Sequence, residues 1–467
     1  MPGALEPFVP SAGDPWNAAK AAHLLRRAGF GPLPQEVADA VAAGPDRAVD
    51  ALLAFPPEAA PPPFSEIRSA ESLLDTALEG VRRARNGGII YKDHPELRAL
   101  FQATNRAHGR GILDLTAWWL DRMSRSPAPL QEKLVLFWHG YFTSSFGDVH
   151  DAIAMFNQNQ LFRRHAAGNF ARLLDDIARD PAMLRYLNND ENYKGYPNEN
   201  WARELMELFT MGIGHYTEPD IKESARAWTG WTLRDYRTFE DRRMFAFKPP
   251  LHDGGPKTFL GRTGSWDGAD VMRIILANPA TPRWVAGKLA QFFVAPKPDP
   301  ALVEALTRQI QAGAYELKPA LRALFRSRTF YLPEVVHAQV KSPAEFVVGA
   351  VRHLGVTGPD WVRLSYAMAG MGQRLFFPPT VAGWHGGTAW VNSGTVFVRA
   401  DTAAALILGK VGTPDLSPLS SVDAIAARLL GQPLPAARRS ALARIAGGQP
   451  APAATHLVMS MPEYQVA

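Results

Sequence analysis

Apolar residues recur at helical spacing along nearly the whole of this 467-residue chain, and that periodicity restricts the fold more than any other feature. "NAAKAAHLLRRAGF" predicts a helix ending at Gly29, and "LPQEVADAVAAG" a second, ahead of a Pro-rich loop at 55–64. Longer helices are expected over 67–86 and 95–125. The strongly apolar "LQEKLVLFWHGYFTSS" follows, then a helix near 151–167, then "NFARLLDDIARD", which closes before Pro181. After Gly212 and Gly214 a further helix begins, with Thr217 as N-cap, Pro219 in the first turn and Asp220 at the capping-box position; it stops at Gly230.

The texture changes between 231 and 264. "MFAFKPP" and "KTFLG" have strand character, and "HDGGP" between them predicts a turn, so one β-hairpin is expected near 244–262. Helical patterning resumes at Gly268, with a short linker at 295–300. "FFPPTVAGWHGGTAWVNSGT" is rich in Gly and Pro and predicts a long ordered loop, a frequent place for function in a helical protein. The expected fold is therefore mainly α: a multi-helix globular array with one small β-hairpin and long ordered loops. Residues 1–410 form one helical core domain, and 411–467 a small segment of two or three helices packed on it.

Composition excludes several classes. A formal charge of +5, with no dense Lys/Arg run, gives no nucleic-acid footprint. Without Cys there are no disulfides, thiolate nucleophiles or Cys-based zinc sites. No signal peptide is visible and no apolar window is long enough to span a bilayer, so the chain as given is expected to be soluble and reads as cytoplasmic, while the compartment itself stays open. HExxH, GxSxG, Walker A and Rossmann motifs are all missing.

One stretch concentrates unusual chemistry. In "NENWARELMELFTMGIGHYTEPD" (198–220), a regular helix places Asn200, Arg203, Glu204 and Glu207 on one narrow stripe. Trp201, Leu205, Met206, Leu208 and Phe209 cover the rest. The plain reading is a solvated face. The sharper one is a polar pocket in which Glu204 and Glu207, spaced i,i+3, share a proton or a cation. His139, within "LVLFWHGYF", is read either as a hydrogen-bonded core residue or as the partner of that pair. His252 and Asp253 are read as a turn capping itself or as a presented base or ligand. Asp148, His150 and Asp151 in "GDVHDA" suggest an opportunistic surface metal site.

The catalytic candidates are thus Glu204, Glu207, His139, His252 and Asp253. Substrate contacts are expected from Asn198, Asn200, Arg203, Lys257, Trp384, His385 and Asn392, the two loop residues Trp384 and His385 offering a stacking face and an imidazole. The cofactor stays open, a divalent cation on Glu204, Glu207 and His139 being the candidate.

The ordered motifs "HLLRRAGFGP", "FWHGYFTSS", "NFARLLDDIARDPAMLRYLNN", "NENWARELMELFTMGIGHYTEPDI", "HDGGPKTFLG", "KSPAEFVVGAVRHLG", "PPTVAGWHGGTAWVNS" and "MSMPEYQ" make the chain similar to the bacterial domain-of-unknown-function family numbered 1800. Tyr141 stands where relatives often carry a second His, and Asn188-Asn189 where they carry an aspartate-asparagine pair. The resemblance implies a single helical unit, an envelope location and a sulfatase-like partner, but no reaction. Two functional classes follow: a hydrolase built on the Glu/His pocket, or a non-catalytic binding or assembly protein whose polar stripe is a structural network.

Overall fold

Short polar side chains start most of the helices. Asn17, Asp151, Asn169, Asp180, Thr217, Asp267, Ser342 and Asn392 each accept hydrogen bonds from first-turn amides. The computed structural model describes residues 3–56, 62, 64–85, 94–446 and 451–467. Within them the chain is 62% helical, which makes it a mainly α protein. Thr217 and Asp220 form the predicted capping box, and Pro219 sits in the first turn of Glu218–Ala227. The predicted Pro-rich loop at 55–64 lies mostly outside the described residues, as does the end of the helix expected over 67–86.

The longest helix, Pro95–Arg125, runs beside Ser65–Arg85 and also packs on Trp361–Gly370, Pro343–His353 and Ala152–Arg164. The apolar helix Pro129–Tyr141 lies against Ala152–Arg164, and its Leu134, Val135, Trp138 and Phe142 neighbourhood forms the centre of the main core. That core is continuous with Ile425, Leu429, Val458 and Tyr464 near the C-terminal end. A smaller cluster of Leu74, Leu78, Leu97 and Phe239 sits apart. The tail holds four short helices among the described residues, Val422–Leu430, Ala436–Ala446, Ala451–Ser460 and Pro462–Gln465, rather than two or three.

The strands differ from expectation in their partners. β1 (Trp231–Leu233) pairs antiparallel with β2 (Phe245–Phe247), and β3 (Lys257–Phe259) with β4 (Arg262–Gly264). The two predicted strands exist but do not pair with each other. "HDGGP" is not a hairpin turn, because Arg226 and Lys257 bind its carboxylate and carbonyls and hold it open against the Glu218–Ala227 helix. The tight turn lies instead at Leu260-Gly261, both at positive φ (46° and 74°), as a two-residue hairpin loop demands.

The stripe-bearing helix is also not uniform. Asn200–Glu204 is α-helical, and Leu205–Thr210 widens into a π-helix. Carbonyls at its end find partners from elsewhere: the Tyr141 hydroxyl donates to Phe209 O and the Trp284 indole to Leu208 O, each at 2.8 Å. Gly212 (φ 80°) closes the segment where a Cβ would stand 2.5 Å from the Trp284 ring, so only glycine fits. Among the described residues no helix is long and apolar enough to cross a membrane.

Candidate functional site

Leu205, Met206 and Phe209 bury one side of the widened turn, which leaves Glu204 and Glu207 half-buried on the other. π-turns are rare and concentrate at functional sites, since they re-aim side chains at the cost of regular packing. Burial, then the neighbouring charge of Glu207, raises the Glu204 carboxyl above its ordinary value, with Arg203 opposing. Glu207 accepts a hydrogen bond from the Tyr216 hydroxyl at 3.1 Å. The Tyr216 phenol is itself pushed up to about 12 by burial and by the Glu207 charge. Burial, Asp148 and Glu204 all raise the phenol of Tyr186. Sequence reasoning missed both tyrosines, although Tyr216 lies in the same quoted stretch.

Other members of the expected stripe turn outward. Arg203 forms ion pairs with Glu218 and Glu199 at 2.8 and 3.1 Å, and these hold its guanidinium charged. Asn200 is exposed, and the Asn198 side chain accepts from the Asn200 amide as a local cap.

His139 is buried in an aromatic cage of Trp119, Phe376 and Trp384, with ring centroids 5.3, 5.0 and 5.6 Å away. Its Nε2 accepts from the Phe376 amide at 3.0 Å, and burial depresses its pKa to about 3, so the ring is neutral. The hydrogen bond anchors the loop that carries Trp384. A second anchor is close backbone contact: a Cβ on Gly383 (φ 77°) would come within 2.6 Å of Gly140 O. Thr143 donates to Val381 O in the same loop. His385 is exposed, and Asn392 caps the Ser393–Ile407 helix through Gly394 and Thr395.

The "HDGG" loop is tied down. Asp253 accepts from Arg226 Nε at 2.7 Å and from the Gly255 amide at 2.9 Å, and these donors hold its carboxyl below the usual range. His252 Nδ1 lies 2.9 Å from Thr229 O. Lys257 is 1% exposed and donates to Asp253 O and Gly255 O, which makes it a prop beneath the loop.

The "GDVHDA" residues separate. Asp148 and His150 are exposed, while Asp151 turns inward to cap Ala152–Arg164, so the expected surface metal cluster does not form. Asp151 instead joins Glu71 and His108, one ligand atom from each lying within 4.8 Å of the others. Metal-like spacing does not make this a metal centre, because the lone pairs are occupied. Asp151 accepts from the Ile153 and Ala154 amides, from Arg243 and from Arg185. Arg243 forks onto Glu71, His108 Nδ1 accepts from the Ala152 amide at 3.1 Å, and Nε2 faces Glu71 at 3.0 Å. Arg243 and Arg185 balance the two carboxylates, whose pKa values stay low despite burial.

A family model described as "Protein of unknown function (DUF1800)" matches residues 23–466, nearly the whole chain. No curated protein and no solved structure matches significantly.

Proposed function

The chain belongs to the DUF1800 family of unknown function, and from that premise we propose that it is a hydrolase working by acid–base catalysis at Glu204 and Glu207. The observation that carries the reading is the asymmetry of the pair. Glu204 is raised by burial and by its neighbour, whereas Glu207 receives the Tyr216 hydroxyl. Two carboxyls in contrasting environments divide the roles of acid and base. Glu204 gives its proton to the leaving group as the scissile bond breaks, and Glu207 takes one from the attacking water; solvent exchange then restores both. Tyr186 and Tyr216 provide hydroxyls beside the reacting atoms, and Trp384, with His385, a face for substrate on the adjoining loop. Asn198, Asn200 and Arg203 form the outer edge. His139 positions the loop rather than reacting, and His252, Asp253 and Lys257 shape the loop packed on the next helix. A divalent cation, were one used, would sit on Glu204 and Glu207.

Purified protein incubated with p-nitrophenyl esters, glycosides, phosphates and sulfates across pH 4–9 tests this. Turnover of at least one class, reduced about a hundredfold or more by Glu204→Gln or Glu207→Gln in folded protein, supports it. Turnover that survives both substitutions overturns it.

The second reading is a binding or assembly protein of the envelope, with the sulfatase-like partner that the resemblance implies. It is favoured by the sealed, neutral His139 and by the surface ion pairs of Arg203. It predicts no turnover of any substrate class.

A further inference from the structure

Away from the glutamate pair, a cleft of ≈ 790 Å³ lies between the helices Ala18–Arg27, Pro34–Ala43 and Val422–Leu430. That volume is typical of sites for small organic ligands. Ala22, Val37, Val41 and Leu429 give it aliphatic walls, with Arg26, His353 and Arg428 also lining it.

The charge at its base is unusual. Arg26 is only 7% exposed, yet its described hydrogen bonding is a single contact, Nη2 to Leu430 O at 2.8 Å. Nearby Lys133 pairs with the Glu345 carboxylate, whereas among the described residues no carboxylate forms an ion pair with Arg26. A second cation on the cleft, Arg428, donates to the His353 carbonyl and also feels the charge of the exposed Asp415. The acid lining the cleft, Asp423, lies at the exposed rim and pairs with Arg439 at 3.3 Å. His353 is buried and held neutral by burial and by the surrounding cations, so it supplies no anion. The Arg26 donors not used by Leu430 O are not sealed in the core, and Arg26 lines the cleft, so an anion entering there can reach them.

We propose that this cleft binds an aliphatic carboxylate, with the carboxylate on Arg26 and Arg428 and the chain along Val37, Val41 and Leu429. Charge complementarity identifies the head group and the aliphatic walls identify the tail. An arginine fork and a carboxylate match in shape as well as charge.

Isothermal titration of the full chain with decanoate tests the site, with acetate and decanol as separate head and tail probes. Decanoate should bind to one site, and both acetate and decanol at least about tenfold more weakly. Arg26→Met should weaken decanoate about ten- to a hundredfold. Because that variant disturbs a buried position, Ala38→Trp, on the exposed part of the cleft wall, serves as the second arm and should block decanoate with melting unchanged. The proposal is overturned if decanoate does not bind, if decanol binds equally well, or if Ala38→Trp leaves decanoate binding intact.

Discussion

The Nε2 atom of His139 accepts a hydrogen bond from the Phe376 amide at 3.0 Å, joining the end of one core helix to a loop 237 residues later. His139→Ala removes buried ring volume and leaves that amide unpaired, and should cost about 3 kcal/mol in urea unfolding. The same contact has a pH signature. The folded-state pKa is near 3, below the ordinary 6.5, so this stability is complete above pH 6.5 and lost as pH falls toward 3. Between pH 7 and pH 5 the loss should be about 2 kcal/mol. His139→Ala should lack that share of the acid sensitivity, and equal sensitivity in both proteins would show that the ring is not held neutral.

Arg243 faces two buried carboxylates, Glu71 and Asp151. Arg243→Met keeps the stem but strands both, and should destabilise by about 3–5 kcal/mol. Because every ligand atom of the Glu71–His108–Asp151 group already has a hydrogen-bond partner, excess zinc or a chelator should leave the melting temperature of the natural chain unchanged. A metal-dependent rise of several degrees that vanishes in His108→Ala would show that the group takes an ion after all.

Asp180 behaves oppositely to His139. It is buried, caps Pro181–Tyr186 and accepts from Gln158 at 2.7 Å, yet burial raises its pKa to about 6. A carboxyl raised in the folded state contributes stability that is present below pH 3.8 and lost as pH climbs through 6. Relative to Asp180→Asn, the natural chain should therefore lose up to about 3 kcal/mol between pH 3.5 and pH 7. A difference that stays flat across this range would contradict the assignment.

What the sequence disclosed depended on how local the cause was. The Thr217–Asp220 cap lies within four residues and was legible in full. Strand character at 245–247 and 257–259 was equally legible, but the partners were not, since Arg226 and Lys257 decide the path of the intervening loop from outside it. The π-turn at 205–210 is accompanied by contacts from Tyr141 and Trp284, which no window over the helix contains. Asp151 drew attention beside Asp148 and His150, whereas its true neighbours, Glu71, His108 and Arg243, come from distant segments. At the candidate site, the paired glutamates could be picked out from their spacing and the tyrosines that face them could not. The unpaired charge of Arg26 appears only once three helices enclose it.

The most direct test of the central claim is the pH–rate profile of whichever substrate the natural chain hydrolyses, measured beside Glu204→Gln at matched folded concentration. With Glu204 as proton donor, kcat/KM of the natural chain should fall on the basic side above a pKa higher than the ordinary 4.5 of a glutamate. Glu204→Gln should be about a hundredfold slower and should lose that limb. An unchanged basic limb in Glu204→Gln, or an undiminished rate, would contradict the account.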